Sequence, residues 1–296
     1  PAIAAILGAH HGRPTDSTKL SSDPIGTYPM HFYLNDASRS AWSSVQEELL
    51  QYALRLAGCH SLDALPVPAF SAQVLLSGLV IAADWIASNE RLFPYETWGE
   101  AQGSACQEER LDRAWNQLDL PRPWTRDCYA PEPDYYLDRF QFTTPHLSQQ
   151  AALMIARNIA FPGIFILEAP MGTGKTEAAL VVAEVFGEKA QKSGVFFALP
   201  TQATSNAIFP RLLNWAQALN LDGRHAIRLA HGKAQFHDEY QVLLEGSREI
   251  GETGDDIVVH QWFEGNKKSM LADFVVGTID QFLLAALRQK HVMLRH

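Results

Sequence analysis

Apolar residues Ala41, Trp42, Val45, Leu49, Leu50, Ala53 and Leu56 recur at three- and four-residue spacing, which predicts an amphipathic helix over 41–58. Residues 72–88 carry Val74, Leu75, Leu76, Leu79, Ala82, Trp85 and Ile86 around small Ser77 and Gly78, the pattern of a more deeply buried helix. No convincing strand precedes about Cys128, so the front of the chain reads as all-α. Pro121, Pro123, Pro131, Pro133 and Pro145 then crowd one stretch, and prolines at that density predict a linker or domain seam.

Beyond Pro145 the periodicity changes. A helix over 147–160 leads to the apolar run Ile164-Phe165-Ile166-Leu167, a glycine-rich turn, and a helix from Lys175 to Phe186. Val195–Leu199, Ile227–Ala230 and Phe274–Val276 read as three more strands, with a helix over 202–219 between the first two. Strands alternating with helices predict a parallel sheet covered on both faces, the core of an α/β nucleotide-binding domain. The expected division is therefore 1–128 all-α, 129–145 linker, and 146–296 α/β. No internal repeat is visible.

Within that frame the turn Ala169-Pro170-Met171-Gly172-Thr173-Gly174-Lys175-Thr176 has the composition and context of a phosphate-binding loop. Gly172 and Gly174 let the backbone curl until its N–H groups, with Thr173 between them, converge on phosphate oxygens. The following helix adds its positive N-terminal end. Lys175 is expected at the β- and γ-phosphates of ATP, and the Thr176 hydroxyl on Mg²⁺.

Composition narrows the partners only a little. Lys and Arg number 24 against 33 Asp and Glu, a formal charge of −9, which argues against a protein that coats nucleic acid everywhere but leaves room for a local basic groove. The three cysteines, Cys59, Cys106 and Cys128, show no CxxC spacing, which suits a reducing cytosol and offers no thiolate zinc site. No unbroken apolar run approaches the ~18 residues of a membrane span, so a membrane is not expected as a partner. The chain opens on Pro1 and an apolar stretch, as if inside a folded element.

Glu168 to Ala179, Leu199-Pro200-Thr201-Gln202-Ala203-Thr204-Ser205-Asn206, Leu229-Ala230-His231-Gly232-Lys233 and Val276-Gly277-Thr278-Ile279-Asp280-Gln281 together resemble the CRISPR-associated helicase-nuclease of type I interference systems. Trp262-Phe263 with Lys267-Lys268 looks most like the subtype I-E branch. The resemblance is dense over about 142–296. It is thinner in front, resting on His10-His11-Gly12 and Ala83-Asp84-Trp85-Ile86-Ala87-Ser88.

This resemblance implies an HD-type metal nuclease domain joined to a superfamily 2 motor with a RecA-like lobe. It also implies recruitment by the Cascade surveillance complex, with its guide RNA, to single-stranded DNA displaced in an R-loop, in a prokaryotic cytoplasm. The parent enzyme would nick, translocate along and degrade that strand. Gln149 stands where the family places its adenine-reading glutamine, with the adjacent Gln150 as the alternative; a carboxamide donates and accepts together, as an adenine edge requires.

Thr201, Gln202 and Ser205 lie just past a strand end and are expected to meet DNA phosphates, although Thr201 would equally serve as a helix cap. Thr278 and Gln281 form a second expected backbone-contact element. His10, His11 and Asp84 would hold one or two transition-metal ions such as iron or manganese, because imidazoles with a distant carboxylate suit such metals. Alone, a His-His pair and one helical acid would read as surface histidines and a paired core acid; the resemblance carries the metal assignment.

The family's His-Asp dipeptide is not found before His10, and no Asp-Glu-x-His box follows the last motif. The chain is therefore expected to be an internal piece that alone neither hydrolyses ATP well nor cuts DNA. A generic superfamily 2 helicase with an unrelated helical front, and a truncated non-catalytic binding module, are the competing readings.

Overall fold

The computed structural model describes residues 6–8, 35–95, 104–121, 123–124, 132–160, 163–219, 221, 223–231, 234, 237–249, 257–263 and 268–286. They divide into two compact units, one holding the described residues up to Tyr95 and one holding those from Ser104 onward.

The front unit is helical, as its periodicity predicts. Helix α1 (Asp36–Leu56) starts at Asn35, whose side chain accepts from Ser38 N at 2.8 Å, and closes with Arg55 in its last turn. Helix α2 spans Phe70–Ala87. Its expected deep burial is not seen: among its residues only Ser77 and Ile81 are buried, and no described element of this unit covers Leu75 or Leu79. At 18 residues α2 is also long and apolar enough by composition to match a membrane span. Gln73, Ser77 and Asp84 interrupt its apolar residues, so the sequence holds no unbroken apolar run of that length.

In the second unit, helix α3 (Ser104–Leu118) is followed by Trp124 and by the short helix α4 (Tyr135–Phe140). The proline-rich stretch is more than a seam. Trp124 is buried against Trp215 and Phe274, with ring centroids at 6.0 and 5.7 Å, and its backbone N–H donates to Asp273 Oδ1 at 3.2 Å. Tyr135 and Tyr136 are buried too. The prolines prevent long regular elements, while the aromatics between them each carry roughly 150–250 Å² of surface into the core. Trp124→Ala is accordingly expected to cost about 3–5 kcal/mol in urea unfolding; a loss within experimental error would contradict this packing.

Helices α5 (Leu147–Asn158) and α6 (Lys175–Ala190) pack on each other through Ala152, Ala156, Ala178 and Val181. The sheet follows. Strands β1 (Val195–Leu199), β2 (His225–Ala230), β3 (Ile257–Val258) and β4 (Phe274–Thr278) lie in the order β1-β4-β2-β3, with every pairing parallel. Helix α7 (Gln202–Ala218) sets Phe209, Leu212 and Trp215 against Ile227, Leu229, Phe274 and Val276. Helix α8 (Asp238–Glu249) adds Tyr240 to the same core, and α9 (Ile279–Ala286) follows β4 directly. Strand β4 is buried along its whole length, which explains its Val- and Phe-rich sequence. Gly277 leaves little room there: a Cβ would meet Ala230 O and Phe196 Cζ at 3.0 Å each, so a neighbour would have to give.

One expected strand is corrected. Ile164–Leu167 is not in the ladder; among the described residues the sheet has four strands, and this run is not one of them. Its burial still alternates, with Phe165 and Leu167 turned onto the α5–α6 cluster while Ile164 and Ile166 are 94% and 78% exposed. Strand β3, only two residues long, had no signal strong enough to predict.

Candidate nucleotide-binding site

The glycine turn between Leu167 and α6 is shaped by two positive backbone angles, φ +80° at Gly172 and +70° at Gly174, the second serving as N-cap of α6. Side chains with a Cβ resist this region, so the glycines set the curl that leaves the turn's backbone facing outward. Lys175 Nζ donates to Ala169 O and Pro170 O, both at 2.7 Å, and Thr173 Oγ1 donates to Pro170 O at 2.8 Å. The ammonium thus lies folded across the mouth of the turn, held by the carbonyls that a phosphate would release it from. Thr176 is half-buried in the first turn of α6.

Gln149 is fully buried and built into this turn. Its Oε1 accepts from His146 N at 2.8 Å, closing the N-terminus of α5, and its Nε2 donates to Gly174 O at 3.2 Å. The neighbouring Gln150 points the other way, donating to Pro145 O at 2.8 Å from an exposed position. Tyr136 supports the same spot by donating its hydroxyl to Gln149 O at 2.7 Å. Burial and the nearby negative charge of Glu177 push its phenol well above the ordinary tyrosine range. Glu177, the residue after Thr176, is itself buried and paired with Arg211 of α7.

The remaining predicted contacts gather at the carboxyl edge of the sheet, where parallel sheets bind their ligands. Leu199 pairs with Thr278, and Ala230 with Gly277, so the segments that follow β1, β2 and β4 emerge side by side. Thr201 and Gln202 are exposed there, and Thr201 also caps α7, accepting from Thr204 N at 3.2 Å. Ser205 departs from expectation: it is fully buried, and its hydroxyl donates to Thr201 O at 3.0 Å, so it offers nothing to a strand in this conformation. Thr278 is buried at the end of β4 and Gln281 is half-buried in the first turn of α9. Lys268 stands 3.8 Å over the Trp262 ring, its ammonium pKa lowered by burial, and Lys267 lies outside the described residues.

A node that the sequence did not expose lies at Asn206. Pro210 has no N–H, so the Asn206 carbonyl one turn earlier loses its helical donor. His237 Nε2 donates to that oxygen at 3.2 Å, and His231 Nε2 donates to Asn206 Oδ1 at 2.7 Å. Burial, then the charge of His237, lowers the His231 pKa. The segment after β2 is therefore pinned to α7. A mid-helix proline followed by two downstream histidines was the available signal.

On the nuclease side, Asp84 is half-buried near the end of α2. His10 and His11 lie outside the described residues, and among the described residues no cluster of three or more His, Cys, Asp or Glu side chains is placed to hold a metal.

Comparison with known proteins bears on both units. The family model "Cas3, HD domain" matches residues 1–93, which include α1, α2, His10, His11 and Asp84. The CRISPR-associated nuclease/helicase Cas3 of Streptococcus thermophilus is 42% identical over 99% of the chain. Over nearly all of its length this chain is similar to Cas3 nuclease/helicases. The Cas3 of Thermus thermophilus is 32% identical over 99% of this chain, and that of Escherichia coli 30% identical over 100% of this chain. The crystal structure of T. fusca Cas3-ATP aligns over 99% of the chain with a TM-score of 0.73 at 30% identity. The chain spans about a third of the length of these Cas3 proteins: 32% of the first, 31% of the second and 33% of the third. The helical HD domain followed by an α/β region with a parallel sheet is thus the Cas3 order of domains.

Proposed function

We propose that the protein carrying this chain is an ATP-driven translocase on single-stranded DNA coupled to a metal-dependent DNA nuclease. It would act in CRISPR interference in the prokaryotic cytoplasm, after recruitment by a Cascade complex of subtype I-E. The observation that carries the motor half is the turn at 172–176. Two left-handed glycines, an ammonium bonded to loop carbonyls and the N-terminus of a 16-residue helix meet in this one turn. That donor set fits a nucleoside triphosphate. Lys175 would meet the β- and γ-phosphates, Gly172, Thr173 and Gly174 would cradle them, and Thr176 would hold Mg²⁺. Bound magnesium supplies charge neutralisation for phosphoryl transfer.

Gln149 is the proposed adenine reader in preference to Gln150, because it alone of the two is bonded to the turn. Reading an adenine edge would require one of its two present hydrogen bonds to be exchanged. Thr201 and Gln202 are the proposed first contacts to the strand, with Thr278 and Gln281 beside them. Ser205 would join only if its bond to Thr201 O opened. His10, His11 and Asp84 are the proposed ligands of the nuclease metal, within the segment matched by the HD-domain model.

A fluorescent ATP analogue titrated into the 296-residue chain with magnesium tests the motor half. Saturable binding is expected, weakened at least about tenfold by Lys175→Ala, since a charge-assisted contact contributes about 1.5–3 kcal/mol. Equal binding by the variant would overturn the assignment.

A further inference from the structure

Glu177 sits next to Thr176 in the first turn of α6, yet its carboxylate is buried and turned toward Arg211 on α7. It lies beside the Gly174 end of the turn. Its Oε2 lies 3.4 Å from where a Cβ on Gly174 would stand, and its charge raises the Tyr136 phenol, whose hydroxyl holds the Gln149 backbone. Arg211 belongs to the same continuous helix whose exposed first residues, with Thr201 before them, stand at the carboxyl edge of the sheet.

A second ion pair offers a contrast. Arg139 and Glu184 are both nearly excluded from solvent, whereas the Arg211 side chain is 47% exposed. A buried carboxylate that loses its cation is costly, so Arg211 must move with Glu177. Phosphates and magnesium arriving at Thr176 change the field at the very next side chain.

We infer that the Glu177–Arg211 pair couples the nucleotide turn to the strand-contacting end of α7, with Arg211 as a positioning residue through which nucleotide and single-stranded DNA sense one another. The inference rests on the nucleotide and strand roles proposed above. Coupling of this kind is reciprocal: whatever factor nucleotide imposes on strand affinity, the strand imposes on nucleotide affinity.

The test measures the dissociation constant of a labelled oligothymidylate for the 296-residue chain, with and without a non-hydrolysable ATP analogue and magnesium. The ratio of the two constants is the readout, and about fivefold or more is expected for the wild type. In Arg211→Ala and in Glu177→Gln the ratio should fall to within about twofold of unity, and Arg211→Lys should recover part of it. A staple without a coupling role would lower the melting temperature and weaken both ligands while leaving the ratio intact, and that result overturns the inference. Should Arg211→Ala fail to fold, Glu177→Gln, which keeps shape and hydrogen bonding, decides alone. A wild type that binds both ligands with a ratio of one also overturns the coupling, whereas a wild type that binds no nucleotide overturns the function on which it rests.

Discussion

Gly174→Ala is expected to abolish nucleotide binding and to destabilise the sheet unit at the same time. The backbone at this position has φ +70°, where an L side chain is strained by roughly 1–2 kcal/mol. The added methyl would lie 2.1 Å from Gln149 Nε2 and 2.9 Å from its Cδ. Gln149 has nowhere easy to go, because it is fully buried and its Oε1 is held by the His146 N–H. Displacing it breaks two hydrogen bonds inside the protein, each leaving a buried group unsatisfied at about 1–3 kcal/mol. Binding of an ATP analogue should weaken at least about 100-fold, which corresponds to ~2.8 kcal/mol. Gly172→Ala is the control. Its φ is +80° but nothing lies within 4 Å of the new methyl, so it carries the strain without the clash and should lose less affinity. Equal losses in the two variants would show that the contact with Gln149 is unimportant.

Arg139→Ala should cost about 3–5 kcal/mol in urea unfolding. The guanidinium spans both carboxylate oxygens of Glu184, at 2.9–3.3 Å, and gives a further bond to Ala218 O at 2.8 Å. It thereby ties α4, α6 and the end of α7 together. Truncation leaves the Glu184 carboxylate, only 2% exposed, without its cation. Replacing both partners by apolar residues, as in Arg139→Met with Glu184→Leu, should recover most of the loss, because the penalty comes from the abandoned charge. A double variant no more stable than the single one would mean that the arginine's bond to Ala218 O carries the effect.

What could be read beforehand divides along physical lines. Helices α5, α6 and α7 and strands β1, β2 and β4 follow from local periodicity, glycine placement and capping by Thr201, all of which are written within a few consecutive residues. The glycine turn before α6 follows from the same kind of local signal. What stayed hidden depends on partners far along the chain. Ile164–Leu167 has the alternation of a strand, but a ladder needs a neighbour that alternation cannot name. Tyr135 and Tyr136 fall in the expected linker and Trp124 in the proline-rich stretch just before it, whereas their burial is decided by Trp215, Phe274 and the α5–α6 pair. Ser205 has the right residue type for a phosphate contact, yet its hydroxyl is consumed one turn back by Thr201 O. Ion pairs such as Glu177–Arg211 and Arg139–Glu184 join residues on different elements, and no spacing rule reaches them. His10 and His11 fall outside the described residues, so the nuclease ligands rest on the family match and Asp84 alone.

The proline inside α7 has an effect opposite to the usual one. By withholding an amide hydrogen at position 210 it leaves the Asn206 oxygen available, and a histidine well downstream takes the vacancy. An alanine at that position would let the helix satisfy itself. The rod would become more regular, and the connection following the second strand would lose one of its moorings beside the carboxyl edge of the sheet.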